Sequence, residues 1–206
     1  MSHYNQIAGQ NLERLAALSD GVFAVGMTLL LLDLKAPAAE AIAGEAALWH
    51  ALLDLAPRLL VYLLSFITLG IFWVGQQTQL NQMDRSDRHF TWLNLAFLFA
   101  VTLTPFSTGL MAEFITFRAA LAVYWLNILL LGLLLLATWR YAVGANLLKP
   151  DIPRGTLPAV EYRILIAQSL YAFGALLSVI LNTYWSIGFI VLVQLNYAIA
   201  PRYPRV

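Results

Sequence analysis

The chain alternates between long apolar runs and short polar stretches from beginning to end. An α-helix needs about 20 apolar residues to cross the hydrocarbon core of a bilayer, and each run is near that length. The runs cover residues 15–35, 57–80, 90–112, 118–142, 160–181 and 184–201. The pattern therefore predicts an all-α, polytopic membrane protein with six transmembrane helices.

Composition supports this class of protein. Hydrophobic residues make up 61% of the 206 residues and charged residues only 11%, and the mean hydropathy is +0.74. Soluble domains, by contrast, are about one quarter charged. No linker, charge block or low-complexity tract divides the chain, so residues 1–206 are expected to form a single membrane domain. The first run is long enough to span a bilayer and its leader lacks a basic region, so we expect a retained helix rather than a signal peptide.

Two prolines and one short connection shape the predicted helices. Pro57 suits the first turn of the second helix. Pro105 lies inside the third run and should kink it, with Thr102 and Thr104 near enough to bond the freed backbone groups. Only residues 181–184 (LNTY) join the last two runs, which predicts a tight antiparallel hairpin.

Two features are expected at the membrane surface. Residues 36–54 form the longest connection and mix apolar with acidic positions, which favours a short interfacial helix. Aromatic residues near the predicted helix ends are assigned to an anchoring belt. They are Trp73, Trp92, Trp139 and Tyr184.

Positive charge orients the predicted helices, because Lys and Arg accumulate on the cytoplasmic side of membrane proteins. Lys35, Arg58 and Arg118 fall on one side. The other side holds Arg14, Arg85, Arg88, Arg140, Lys149, Arg154, Arg163, Arg202 and Arg205. An even number of helices also places both termini on one side. The sequence therefore predicts a multi-pass protein of the cell membrane with both termini in the cytoplasm.

The motifs of common enzymes are missing. The three histidines form no metal-binding pattern, and the chain has no cysteine. It carries no nucleotide-binding loop, no nucleophile motif and no TVGYG filter. The net charge of +1 gives no electrostatic footprint for nucleic acid. We therefore expect no enzyme, no metal or other cofactor and no nucleic-acid partner.

Asp20 is the one carboxylate well inside a predicted span. An ionised residue at a helix centre costs about 2.5–3.5 kcal/mol, and less near the end, so one good partner would offset it. Arg14 lies six residues earlier and therefore well round the helix from Asp20. The partner should come from another helix or subunit. Asn94, Gln76 and Gln77 are candidates, and the sequence does not choose among them.

The rest of this helix has two faces. At about 100° per residue, one stripe collects small and branched apolar residues with one hydroxyl, while Asp20 and Phe23 point away from it. The stripe consists of Leu18, Gly21, Val22, Val25, Thr28, Leu29 and Leu32. Such stripes serve close helix packing in membranes. From the residues alone, packing is the favoured interpretation, with Asp20 holding the bundle together.

The segment RLAALSDGVFAVGMTLLLLDL, which begins at Arg14, resembles the first-helix signature of the transmembrane protein 175 family of potassium channels. In that signature an arginine is followed, after three residues, by Phe-Ser-Asp and then by an apolar helix with Thr-Leu-Leu. Arg14, Ser19, Asp20 and residues 28–30 match in place, whereas Leu18 stands where the family has phenylalanine. Leu18 is therefore expected to alter packing around the motif.

The next two runs also resemble this family. SFITLGIFW and WLNLAFLFAVTLTPFSTGL are similar to its second and third helices. The segment FWVGQQTQ departs from it, because Gly75 and Gln76 stand where relatives commonly have Asn-His. The polar network behind the pore helix is therefore expected to use Gln76 or another group.

The resemblance implies a homotetramer in which the first helices of four six-helix subunits line a potassium path. Family constrictions, carried onto this chain, fall on Val25, on Thr28 or Leu29, and on Leu32. Hydrophobic constrictions can gate a pore by dewetting, so the missing TVGYG is no objection. The constriction residues belong to the stripe described above. Asp20, on the other side of the helix, would therefore support the pore helix from the side away from the ion path.

Two motif residues have open roles. Ser19 lies between the two faces of the helix and is compatible with either. Arg14, near the cytoplasmic end, is expected at a subunit interface or at the pore mouth. Contact with lipid headgroups is the alternative for Arg14.

The leading hypothesis is a passive, potassium-selective cation channel with K⁺, the lipid bilayer and further copies of the chain as partners. The alternative is a proton-coupled or proton-conducting transporter that uses Asp20 as its ion-coupling carboxylate. An intramembrane enzyme is the third hypothesis, and it has little support because no acid, base and nucleophile cluster in any predicted span. A purely structural membrane protein, which would show no flux, is a further alternative.

Overall fold

The computed structural model describes Gly9 and residues 11–153 and 155–199, with Asp33 described by its backbone alone. These ranges form eight α-helices joined by short loops and 3-10 turns. The helices are α1 (Leu12–Leu29), α2 (Glu45–Asp54), α3 (Ala56–Leu80), α4 (Arg88–Thr102), α5 (Thr104–Glu113), α6 (Arg118–Gly144), α7 (Thr156–Ile180) and α8 (Thr183–Ile199).

Five stretches of the described chain are long and apolar enough to cross a membrane. They are Leu12–Leu32, Ala56–Leu80, Arg88–Glu113, Arg118–Gly144 and Thr156–Ile180. The third stretch combines α4 and α5, and α8 adds a shorter apolar helix of 17 residues. The all-α architecture with six spans is thus confirmed.

The bundle is built around α3 and α6. Helix α6 packs against α4, α5 and α7, and α3 packs against α1, α5 and α8. The core between them contains large side chains that are 0–1% exposed, including Leu69, Phe97, Tyr124 and Ile190. Helix α1 lies at one side of this bundle, against α3, α4 and α5.

Different contacts close the two ends of the bundle. At one end, Thr91 Oγ1 donates to the carbonyl oxygen of Gly9 (2.9 Å), and backbone hydrogen bonds join the α3–α4 loop to the α6–α7 loop. At the other end, a salt bridge of 2.8 Å between Arg58 and Glu113 joins α3 to α5. Gly9, the first described residue, therefore lies at the same end of the bundle as these two loops, which carry Arg85 and Lys149.

The predicted interruption of the third span lies at Pro105. Helix α4 ends at Thr102, and α5 begins at Thr104 with the proline in its first turn. The side-chain amide of Asn127, turned with its nitrogen toward α4, donates to Ala100 O (3.1 Å) and accepts from Thr104 N (3.2 Å). Thr102 Oγ1 donates to a carbonyl of its own helix (2.7 Å), as expected near a proline break. A side chain from α6 thus bridges the break.

The first helix is shorter than predicted. Its apolar run continues to Lys35, but the α-helix ends at Leu29 and tightens into a 3-10 turn, Leu30–Asp33. Leu34 N then donates to Leu31 O (3.1 Å). A 3-10 turn satisfies final carbonyls that would otherwise lack partners, so it often closes an α-helix.

Two predicted connections are present. Helix α2 forms inside residues 36–54 and buries no residue in the subunit. Its location at a membrane surface stays a prediction. Two residues separate α7 from α8, and Asn182 Oδ1 accepts from Trp185 N (3.2 Å) at the start of α8. The prediction of a tight hairpin is therefore confirmed.

One residue of the predicted aromatic belt is buried inside the bundle. Trp139 is fully buried, and its indole nitrogen donates to Leu157 O at 3.4 Å, because the start of α7 covers this end of α6. Its assignment to the belt is wrong. Trp92 and Tyr184 are exposed, and their anchoring role stays a prediction.

Candidate functional site

Helix α1 attaches to the bundle along one narrow edge. Its buried residues are Leu15, Ser19, Phe23 and Gly26, which recur every three or four positions. The Phe23 ring packs against Phe97 of α4 with centroids 6.0 Å apart. At Gly26, an added Cβ would meet side chains of α3 and α4 at 3.6–3.7 Å. Small and aromatic residues together set the distance between α1 and the bundle.

No described residue of the subunit covers the opposite side of α1. Val25 is 57% exposed, Leu29 41% and Leu32 71%, and Leu18 is also exposed. Leu32 lies in the 3-10 turn rather than in the α-helix proper. Apart from Val22, which packs partly buried against the core, the apolar stripe predicted on this helix is therefore left open by the described residues.

Thr28 is the one hydroxyl on this open stripe. Its Oγ1 donates to Val25 O at 2.8 Å, so the hydroxyl proton is used within the helix. The oxygen keeps its lone pairs as acceptors. Oxygen acceptors are the groups that replace the hydration shell of an alkali cation.

Asp20 is held by two donors from α3. Trp73 Nε1 lies 2.8 Å and Gln77 Nε2 lies 2.7 Å from Asp20 Oδ1. Trp73 and Gln77 are four residues apart and so share one face of α3. In the described part of the chain, Asp20 forms no salt bridge with Arg14. The carboxylate therefore ties α1 to α3 through neutral donors.

These contacts correct three of the predictions. Gln76 and Asn94 are not the partners of Asp20, whereas Gln77, the third candidate, is. Trp73 also donates to Asp20 rather than serving as a surface anchor alone. The reason is the 100° turn between Gln76 and Gln77, which directs one amide toward α4 and the other toward α1.

Gln76 and Asn94 instead bind each other. Gln76 Nε2 donates to Asn94 Oδ1 at 3.1 Å, and Asn94 Nδ2 donates to Phe90 O at 2.9 Å. Both side chains are 1% exposed. This pair fixes α3 to α4, two of the three helices against which α1 packs.

Ser19 and Arg14 occupy different environments. Ser19 is fully buried and donates to Leu15 O at 2.9 Å, so it belongs to the packed edge of α1. Arg14 is exposed in the first turn, where Asn11 Oδ1 accepts from its backbone nitrogen at 2.9 Å. The guanidinium is therefore available at the end of the helix that carries the open stripe.

Sequence reasoning missed a second polar cluster in the bundle interior. Tyr124 OH lies 3.0 Å from Thr68 Oγ1 and 3.3 Å from Ser65 Oγ. Thr108 Oγ1 donates to Ser65 Oγ, and Gln194 Nε2 donates to Thr68 Oγ1. These hydroxyls and amides join α3, α5, α6 and α8. Their only signal in the sequence is that polar residues recur inside apolar runs.

Comparison with known proteins identifies the family. A family model described as the endosomal/lysosomal potassium channel TMEM175 matches residues 14–105, from the signature arginine to the proline of the third span. A Streptomyces collinus protein named as a potassium channel is 38% identical over 163 residues, which are 77% of this chain and 78% of that one. The chain belongs to the TMEM175 family. A further relative, from Chamaesiphon minutus and also named as a potassium channel, is 31% identical over 90% of this chain and 93% of its own.

The fold agrees with a solved structure from the TMEM175 family. It is a crystal structure described as a lysosomal potassium-selective channel TMEM175 homolog from Chamaesiphon minutus. The two chains superpose with a TM-score of 0.81 at 28% identity, over 93% of this chain and 98% of the other. The resemblance first noted in α1 thus extends over nearly the whole subunit.

Proposed function

We propose that this protein is a potassium-selective cation channel that conducts passively. Four copies assemble so that the α1 helices surround the ion path, and the whole chain acts as a single channel domain with no enzymatic activity. Membership of the TMEM175 family supports this proposal, as do relatives whose names describe potassium channels.

The open stripe on α1 is the observation that carries the proposal. Val25, Leu29 and Leu32 are large apolar side chains that the subunit leaves uncovered, on a helix that is held from behind. Brought together around an axis, such side chains make narrow apolar constrictions that gate by dewetting. Thr28 adds a ring of hydroxyl oxygens between them.

We further propose that the channel resides in the cell membrane with both termini in the cytoplasm. Of the nine basic residues that the structure describes, six lie at the end of the bundle near Gly9, and the cytoplasmic side of membrane proteins is rich in Lys and Arg. Proteolysis of inside-out and right-side-out vesicles tests this orientation. Cleavage of a terminal tag in right-side-out vesicles would contradict it.

Cation flux in liposomes tests the function. Reconstituted protein should dissipate a K⁺ gradient faster than a Na⁺ gradient. Combined Val25→Ala, Leu29→Ala and Leu32→Ala should change the flux strongly, because the constrictions widen. The matched control replaces three exposed leucines of other helices, Leu133, Leu176 and Leu192, with alanine. Absence of K⁺ flux, or equal effects of the two triple variants, would contradict the proposal.

A proton-coupled or proton-conducting transporter remains the second candidate, with Asp20 as the ion-coupling group. Asp20 is exposed within the subunit, and Oδ2 has no partner among the described residues. A coupling role predicts that Asp20→Asn abolishes flux while assembly stays intact. The channel proposal predicts that the same change weakens folding or assembly first.

A further inference from the structure

A cavity lies behind α3, on the side away from α1. It has a volume of about 140 Å³ and is walled by α3, α6, α7 and α8. Most of the lining is aliphatic or aromatic, including Phe72, Leu135 and Ile164. An engineered apolar cavity of about 150 Å³ holds benzene, so this volume matches one six-membered ring.

Three buried polar atoms without partners distinguish this cavity from a packing defect. Tyr171 OH, Gln79 Oε1 and Gln168 Oε1 belong to lining residues and lack hydrogen-bond partners within the described chain. Tyr171 is 1% and Gln79 2% exposed. A buried polar atom left unpaired costs about 1–3 kcal/mol, so three of them around one cavity indicate a missing hydrogen-bonding molecule.

The chemistry of these atoms defines the occupant. Two of them are amide oxygens, which only accept, so the occupant must donate. Arg163 lines the cavity, with its guanidinium 5.4 Å from the centroid of the Tyr197 ring, and its positive charge disfavours a cation. Water alone would form hydrogen bonds with the polar atoms, but it would also lie against the apolar walls, which is unfavourable. A neutral ring with one hydroxyl satisfies both parts of the lining.

Helix α3 connects this cavity to Asp20 of α1. Gly75 and Gln79 face the cavity, whereas Trp73 and Gln77 of the same two turns hold Asp20. A molecule in the cavity therefore contacts the same helix turns that supply both donors to Asp20.

We propose that this cavity is a regulatory site for a small neutral amphiphile, a ring-sized apolar body with a hydroxyl donor, which acts on α1 through α3. The effect on ion flux rests on the proposed function. Binding itself does not, so the two are measured separately.

Binding of 4-fluorophenol, followed by ¹⁹F NMR on purified protein in micelles, tests the site. Partition into micelles gives a signal linear in ligand, whereas the site gives a saturable one. We expect saturable binding of 4-fluorophenol and only the linear signal with 4-fluoroanisole, whose hydroxyl is methylated. A purely linear 4-fluorophenol signal would refute the proposed binding site. Equal saturable binding of both probes would refute the requirement for a hydroxyl donor, and with it the proposal.

Variants locate the binding. Tyr171→Phe removes a hydroxyl that makes no hydrogen bond within the described residues, so folding should be unaffected, while affinity should fall about three- to tenfold. Tyr184→Phe, the same change at an exposed position of α8, should leave affinity unaltered. Ala167→Phe fills the cavity and should abolish saturable binding. Unchanged affinity in Tyr171→Phe overturns the assignment even if the larger substitution prevents folding.

Flux tests the regulatory part. Saturating 4-fluorophenol should change K⁺ flux of the wild type at least twofold and leave Ala167→Phe unaffected. Binding without any change in flux would overturn the coupling through α3. A protein that binds the probe but conducts no K⁺ at all would instead contradict the proposed function.

Discussion

Replacing Asp20 should lower the stability of the protein by a calculable amount. The carboxylate accepts two hydrogen bonds, at 2.7 and 2.8 Å, on Oδ1. A hydrogen bond to a charged group contributes about 1.5–3 kcal/mol, and a neutral one about 0.5–1.5 kcal/mol. Since Asp20 is exposed in the subunit, the lower ends apply. The two hydrogen bonds together then contribute about 3 kcal/mol to stability with aspartate at position 20 and about 1 kcal/mol with asparagine.

Thermal unfolding of the purified protein in detergent measures this difference. Asp20→Asn should cost about 2 kcal/mol and Asp20→Ala about 3 kcal/mol. For a chain of this size, 1 kcal/mol corresponds to about 2–4 °C in Tm. The expected losses are therefore about 4–8 °C and about 6–12 °C. Asp54→Asn, at an exposed carboxylate of α2, is the matched control and should shift Tm by about 2 °C at most.

A double-mutant cycle with Gln77→Leu isolates the contact. Because the two side chains touch, the double variant should lose less stability than the sum of the single losses, by about 0.5–1 kcal/mol. Additive losses would refute the hydrogen bond between α1 and α3. An unchanged melting temperature in Asp20→Asn, combined with lost K⁺ flux, would refute the bracing role and favour the transporter.

Three further predictions concern the packing of α7 on α8, the hydroxyl of Thr28 and the break between α4 and α5. Gly174→Ala should destabilise by about 1–3 kcal/mol, because an added Cβ would lie 2.9 Å from side chains of α8, and thermal melts check it. The matched Gly188→Ala meets nothing within 4 Å and should be neutral or stabilising by up to about 1 kcal/mol. Thr28→Val keeps the shape but removes the oxygen, so K⁺ flux should fall while Tm stays constant; unchanged flux would exclude Thr28 from the ion path. Asn127→Leu removes the partner of Thr104 N and the second donor to Ala100 O at the α4–α5 break, so it should lower Tm by roughly 5 °C or more, whereas an unchanged Tm would show that the bridge is dispensable.

Helix positions were predictable because they depend on local chemistry. Long apolar runs must form helices in a bilayer, and a proline inside such a helix, like Pro105, interrupts it whatever packs around it. The two faces of α1 follow from the same periodicity, which predicts Phe23 on the side away from the stripe, where its ring packs against Phe97. The end of α1 was less predictable, since the run stays apolar beyond Leu29 while the backbone tightens.

Partners between helices were not predictable in the same way. Gln76 and Gln77 are chemically identical neighbours, and only the rotation of α3 decides which one reaches Asp20. Trp139 has the sequence context of a surface anchor, and it is buried because the start of α7 covers it. The cavity behind α3 depends on packing among four helices, and no motif marks it.

Accessibility of single cysteines tests the central claim, that ions pass along the stripe of α1, most directly. The chain has no native cysteine, so Val25→Cys and Leu32→Cys each introduce one reactive thiol. A cationic methanethiosulfonate reagent should block K⁺ current through both variants in planar bilayers and leave Leu192→Cys, on the exposed side of α8, unaffected. Unchanged currents in the α1 variants, or equal block at Leu192→Cys, would contradict the claim.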